Sequence, residues 1–143
     1  MTDSPVTWVI AALEVITALG IAVYWIMWFR TSHDEPWLPD GYIDHEAPFV
    51  FTDTILAVVL VVAAVLQVTD EPATSAAVLV SAGRPVGESL GLIAAGMLLF
   101  LGVLDLAYFA RTGLFKRAHG GVVNAGVVAG TLTLAVILIV RFI

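Results

Sequence analysis

Acidic side chains inside apolar runs are the residues of this chain whose chemistry most needs explaining. Asp105 lies in GVLDLAYFARTGLF, among Val, Leu, Ala, Tyr and Phe, and Asp53 follows PFVFT. Glu14 interrupts AALEVITALG, and Glu88 opens ESLGLIAAG. A carboxyl group in a low-dielectric setting is costly, faces other protein rather than lipid, and is a functional candidate by default. Two carboxyls brought close there cannot both ionise cheaply, so a pair holds a cation or shares a proton, offering a donor and an acceptor together. Such a pair suits binding of a small molecule, a lipid or a cation, or acid and base work in an enzyme.

Placing these groups requires membrane helices. The chain has 143 residues, of which 60% are hydrophobic and 13% charged. Its mean hydropathy is +1.01, far too apolar for a soluble domain of this length. Four apolar runs stand out, Thr7 to Phe29, Pro48 to Val68, Gly87 to Ala110 and Val122 to Ile143. Each is close to the ~20 residues that cross a ~30 Å hydrocarbon core. The expected fold is therefore all-α, one antiparallel bundle of four transmembrane helices spanning 1–143 as a single domain. The first run is not expected to be a cleaved signal, because MTDSPVTW carries an acid and no base and the run is too long for a signal-peptide core.

Asp53 lies five residues after Pro48 and Asp105 five before Ala110, so both should sit about 7.5 Å inside the same membrane face. Tyr24, Tyr108 and Asn124 reach that level from their own helices. In helix one, Glu14, Thr17, Ile21, Tyr24 and Trp28 follow i, i+3, i+7, i+10, i+14 and define one stripe. Asp105 shares a stripe with Leu101, Leu98, Ala94 and Gly91, whose shrinking side chains would leave a gap at the far end. The expected site is a polar pocket of Asp53, Asp105, Tyr24, Tyr108 and Asn124, with a narrower polar thread through Glu14. Plainer roles stand beside this one. Asp53, directly after Thr52, also reads as a first-turn acid favoured by the helix dipole, as does Glu88. Asp105 also reads as interhelical glue, paired with Arg111 or hydrogen-bonded to Asn124.

The loops carry most of the charge. Twelve acids face six bases, a net charge of −6 that disfavours nucleic acid and anionic lipid surfaces as partners. Acid-rich, lysine-poor exposed surface is the composition expected of a halophilic archaeal protein. Arg30, Arg111, Lys116 and Arg117 flank the first and third loops, against Arg84 and Arg141 on the other side. The positive-inside rule then puts the site at the cytoplasmic face of the cell membrane and both termini outside. SHDE and DHEA in loop one set a His beside carboxylates, a pattern that fits an acidic solvated loop better than a ligand set. In loop two, the apolar patch Ala76 to Val80 is too short to span. Gly126 and Gly130 form GxxxG in helix four, which permits close helix approach within the bundle or in a homodimer.

Several chemistries drop out. Without cysteine there is no disulfide, thiolate metal site or covalent haem. The one lysine, Lys116, is in a loop, so no retinal Schiff base forms inside the bundle. His33, His45 and His119 are all in loops, which disfavours haem held by helix histidines. No Ser or Thr has the partners of a nucleophile. No cofactor is implied.

Two resemblances add to this reading. YWIMWF closing helix one, EAPFVFTD leading into helix two and DLAYFARTGLF closing helix three resemble a loose group of small four-helix prokaryotic membrane proteins of unassigned function. In that group an acid, an aromatic and an Asp are expected where this chain has Glu46, Phe49 and Asp53. After helix three, Asp, Tyr, Asn-Gly and an aromatic are expected where it has Asp105, Tyr108, Thr112-Gly113 and Phe115, with Thr112 departing from the pattern. AALEVITALG is similar to helix one of the small multidrug resistance transporters. That resemblance implies a proton-coupled transporter in which Glu14 is the essential acid, although loops one and two are longer than that family's. A structural subunit and an intramembrane enzyme complete the alternatives.

Overall fold

The computed structural model describes residues 4–69, 84–116 and 120–143. It is all-helical over these residues, and four helices are long and apolar enough to cross a membrane. The protein is thus a multi-pass membrane protein built as a four-helix bundle. Helix α1 runs Pro5–Arg30, with Pro5 in the first turn, where its missing N–H would have had no helical partner anyway. It stops where Thr31 turns extended, at φ −98° and ψ 141°. Helix α2 is a single turn, Tyr42–Glu46, entered through Gly41 at φ 76°. Helix α3 follows as Phe49–Thr69.

Pro48 lies between α2 and α3. It has no N–H to give and so interrupts the hydrogen-bond ladder, yet the apolar span runs on from Tyr42 to Thr69. The second span therefore begins six residues earlier than its apolar run starts. Helix α4, Val86–Thr112, ends with Gly113 in the left-handed conformation at φ 77°. The Leu114 N–H returns to the Phe109 carbonyl at 3.1 Å, a six-to-one bond that ties up an orphan carbonyl, and Leu114 packs beside Phe109. Helix α5, Gly121–Phe142, comes straight back alongside.

Contacts run in sequence: α1 packs on α3, α3 on α4 and α4 on α5. Among the described residues no contact of that extent joins α1 to α5, although both reach the common core. The middle of that core is Leu56 and Leu60 from α3, Ala94, Ala95 and Leu98 from α4, and Ala135 and Leu138 from α5, all essentially inaccessible. This apolar layer separates the two ends of the bundle, so polar groups do not continue through it from Glu14. The gap expected beyond Gly91 is also absent. The Phe142 ring fills it, so closely that a methyl group on Gly91 would collide with it. Small residues on α4 here receive a large one from α5 rather than leaving space.

Gly126 and Gly130 have open space around them, so the close approach they allow is not used inside the bundle. The patch Ala76 to Val80 lies outside the described residues, as do Arg117 and His119.

Candidate functional site

At the loop-one end of the bundle, two consecutive residues of α1 reach two different carboxylates. The Tyr24 hydroxyl donates to Glu46 Oε2 at 3.3 Å, and the Trp25 indole N–H donates to Asp53 Oδ2 at 3.0 Å. Trp25 is buried, whereas Tyr24 remains 41% exposed. The stripe drawn through Glu14, Ile21 and Tyr24 therefore needs correcting, because the buried face of α1 is Ile10, Ala11, Glu14, Ala18 and Trp25. At 100° per residue, eleven positions bring the chain back to within roughly 20° of Glu14, while ten leave it about 80° away. Tyr24 is at the rim of that face and Trp25 at its centre.

Asp53 is the fifth residue of α3, with the turn of α2 leading into it, and α3 has no acid in its first turn. The helix-dipole explanation of Asp53 thus falls away. Glu88, by contrast, does lie in the first turn of α4. Asp105 is half-buried and within electrostatic range of Asp53, while Glu46, only 6% exposed, feels both. Three elements therefore contribute one carboxylate each. No described Lys or Arg pairs with any of them.

Aromatic rings surround the acids. Tyr108, three residues beyond Asp105, stacks on His45 with centroids 3.6 Å apart and planes 13° from parallel. Trp25 meets Trp28 edge to face at 5.4 Å, and Trp28 meets His33 at 4.4 Å. Tyr42 lies by Tyr24 and Trp28, and His33 is 6.0 Å from its ring. The Trp28 Nε1 and His45 Nε2 atoms are buried without a partner that meets hydrogen-bond geometry. A cluster with three carboxylates, several π faces and, among the described residues, no paired Lys or Arg attracts cations by charge and by ring quadrupole together.

Not every candidate joins it. Asn124 donates to the Leu114 carbonyl at 2.8 Å and so stitches loop three to α5 instead of meeting Asp105. A carbonyl just beyond a helix end needs a donor, and Asn124, one turn into the next helix, supplies it. Arg111 is exposed and does not pair with Asp105. Glu14 is at the other end, completely buried, where Gln67 Nε2 donates to its Oε2 at 2.8 Å and Oε1 has no partner. Gly87 lets α4 pass close here, since an added Cβ would come within 2.8 Å of the Gln67 backbone nitrogen.

The described residues hold no grouping of three or more His or acidic side chains that could grip a metal ion. An open depression is formed in loop one by His33, Asp34, Glu35, Tyr42 and Asp44 among others, and none of the three carboxylates lines it. No family model, characterised protein or solved structure matches the chain.

The groups that sequence reasoning left out of the site are Glu46, His45, Tyr42, Trp25 and Gln67. Glu46 and His45 belong to the DHEA segment, which reads as solvated loop because a one-turn helix shows no periodicity.

Proposed function

We propose that this protein binds a small molecule or lipid headgroup carrying an ammonium charge, in the polar site formed by Glu46, Asp53 and Asp105. Tyr24, Trp25, Trp28 and Tyr108 wall the ligand. The observation that carries this reading is the placing of three carboxylates from three helices among aromatic rings, with no Lys or Arg paired to them among the described residues. An acid pair favours the charge, and indole and phenol faces favour its alkyl shell over a hydrated metal ion. With Arg30, Arg111 and Lys116 flanking this end, the site faces the cytoplasm and both termini lie outside the cell membrane.

Calorimetric titration of the purified protein with tetramethylammonium tests this. Saturable binding is expected, weakened at least about tenfold in Asp105→Asn, equivalent to ~1.4 kcal/mol. Heats that never saturate, or that are identical in Asp105→Asn, would remove the proposal.

One further observation favours a second reading, that of a proton-coupled transporter working through Glu14. Its carboxyl is fully buried and keeps one oxygen unpartnered. Unchanged uptake and tolerance of organic cations in cells carrying Glu14→Gln would eliminate it.

A further inference from the structure

Helices α1 and α5 stand at the two ends of the chain of helix contacts, and each packs extensively on one neighbour only, α3 and α4 respectively. On α1 the face turned from the core is a ridge of Ile16, Leu19, Val23 and Met27, each more than half exposed. Their spacing of i, i+3, i+7, i+11 sets them in one row. On α5 the face turned from the core is a trough of Gly126, Ala129, Gly130 and Thr133, all exposed. Gly87, Gly91 and Gly102 of α4 each receive a group from another helix, whereas a Cβ at Gly126 or Gly130 would meet nothing. Such a trough bares backbone, which a close-packed helix covers better than acyl chains do.

Ridge and trough match in height. Loops one and three lie at the same end of the bundle, since Leu38 and Tyr42 pack beside Phe109, Leu114 and Val128. Counted from that end, Val23 is seven residues inside Arg30 and Leu19 eleven, while Gly126 is five inside Gly121 and Gly130 nine. At about 1.5 Å per residue, each large side chain comes within about 3 Å of the level of a glycine. Both faces point away from the core, so they cannot meet inside one molecule.

Charge selects what covers the trough. Loop one presents Asp34, Glu35, Asp40 and Asp44 beside the single base Arg30, and the loop-three end presents Arg111 and Lys116, all exposed. None of these residues makes an ion pair among the described residues. Within one molecule the two loops meet through apolar side chains, which leaves both sets of charge unmatched. A second copy laid alongside brings opposite charges together at the end where its ridge enters the trough.

We propose that the α5 trough is covered by α1 of a second copy of this chain, whose Val23 and Leu19 sit over Gly126 and Gly130 and whose loop one lies beside Arg111 and Lys116. The contact is heterologous, so each copy offers one ridge and one trough, and copies close into a ring or extend in a row. It stands apart from the ligand reading, because it uses neither Asp53 nor Asp105.

The chain has no cysteine, so single cysteines report the contact cleanly. Full chains carrying Leu19→Cys and Ala129→Cys, co-expressed and oxidised in their membranes, should yield at least about fivefold more disulfide dimer than either alone, since the bond needs Cα atoms within about 7 Å. Val58→Cys, on the exposed side of α3, should give no such excess when it replaces Leu19→Cys. Adding Gly126→Ile and Gly130→Ile to the Ala129→Cys chain should cut the yield at least about fivefold with the fold intact, because the new side chains enter open space. Should that variant misfold, charge decides: Arg111→Glu with Lys116→Glu in the Ala129→Cys chain should lower the yield, and Asp34→Lys with Glu35→Lys in the Leu19→Cys chain should restore it. A mixture no richer in dimer than its components would overturn the proposal. So would dimer formed as abundantly by Ala129→Cys alone, which would mean α5 on α5, or a yield indifferent to both the filled trough and the reversed charges.

Discussion

The two ends of this bundle treat buried acid in opposite ways. At the loop-one end three carboxylates from three helices lie among aromatic rings, with no Lys or Arg paired to them among the described residues. At the other end a single carboxyl, Glu14, is fully buried and bonded to Gln67, which Gly87 lets α4 approach closely. The first arrangement leaves three acids without a Lys or Arg partner among the described residues. The second spends one amide on one oxygen and leaves the other without a partner. Packing separates them, with the layer of Leu56, Leu60, Leu98 and Leu138 lying between.

Substitution should expose that contrast. The largest effect is expected at the Glu14 end, where Gln67→Leu takes from Glu14 the only donor it has among the described residues and should cost about 1–3 kcal/mol of stability in detergent unfolding. Adding Glu14→Leu should recover most of that loss, since removing both partners leaves no orphan; a double variant no better than the single one would show that the cost was packing. A smaller loss, of about 1 kcal/mol, is expected for Asn124→Ala, which strips the Leu114 carbonyl of its donor without touching either acid site. The smallest is expected at the loop-one end. Asp105→Asn should shift unfolding by no more than about 0.5 kcal/mol, in either direction, because it relieves like charge and breaks no hydrogen bond. A loss as large as that of Gln67→Leu would mean that Asp105 holds the helices together, and the two ends would then be alike.

The four spans were legible because each is a long apolar run, and hydropathy alone decides that a lipid solvent accepts them. Residue counts alone put Asp53 near the start of one helix and Asp105 near the end of another, because those helices are regular. Rotation was harder. Tyr24 and Trp25 differ by one position, and both are amphipathic aromatics suited to a membrane interface, so composition could not say which of them faces the core. Glu46 was hidden by the shortness of α2, and Gln67 by carrying no charge in a segment where charge was the signal. Gly91 suggested a gap because a stripe records what its own helix contributes, whereas the Phe142 ring that fills the space comes from another.

The tryptophans are distributed so that each end of the bundle can be observed separately by light. Trp8 is 57% exposed near the start of α1, on the Glu14 side, while Trp25 and Trp28 lie edge to face at 5.4 Å within the acidic cluster. Two indoles fixed at that distance and angle share their electronic excitation, so they should give a paired band of opposite signs in near-ultraviolet circular dichroism that a lone Trp8 cannot produce. Because the Trp25 N–H is bonded to Asp53, the charge on that carboxylate should also tune the indole's emission colour. The fold therefore contains its own spectroscopic gauge of the acidic end, independent of any attached label.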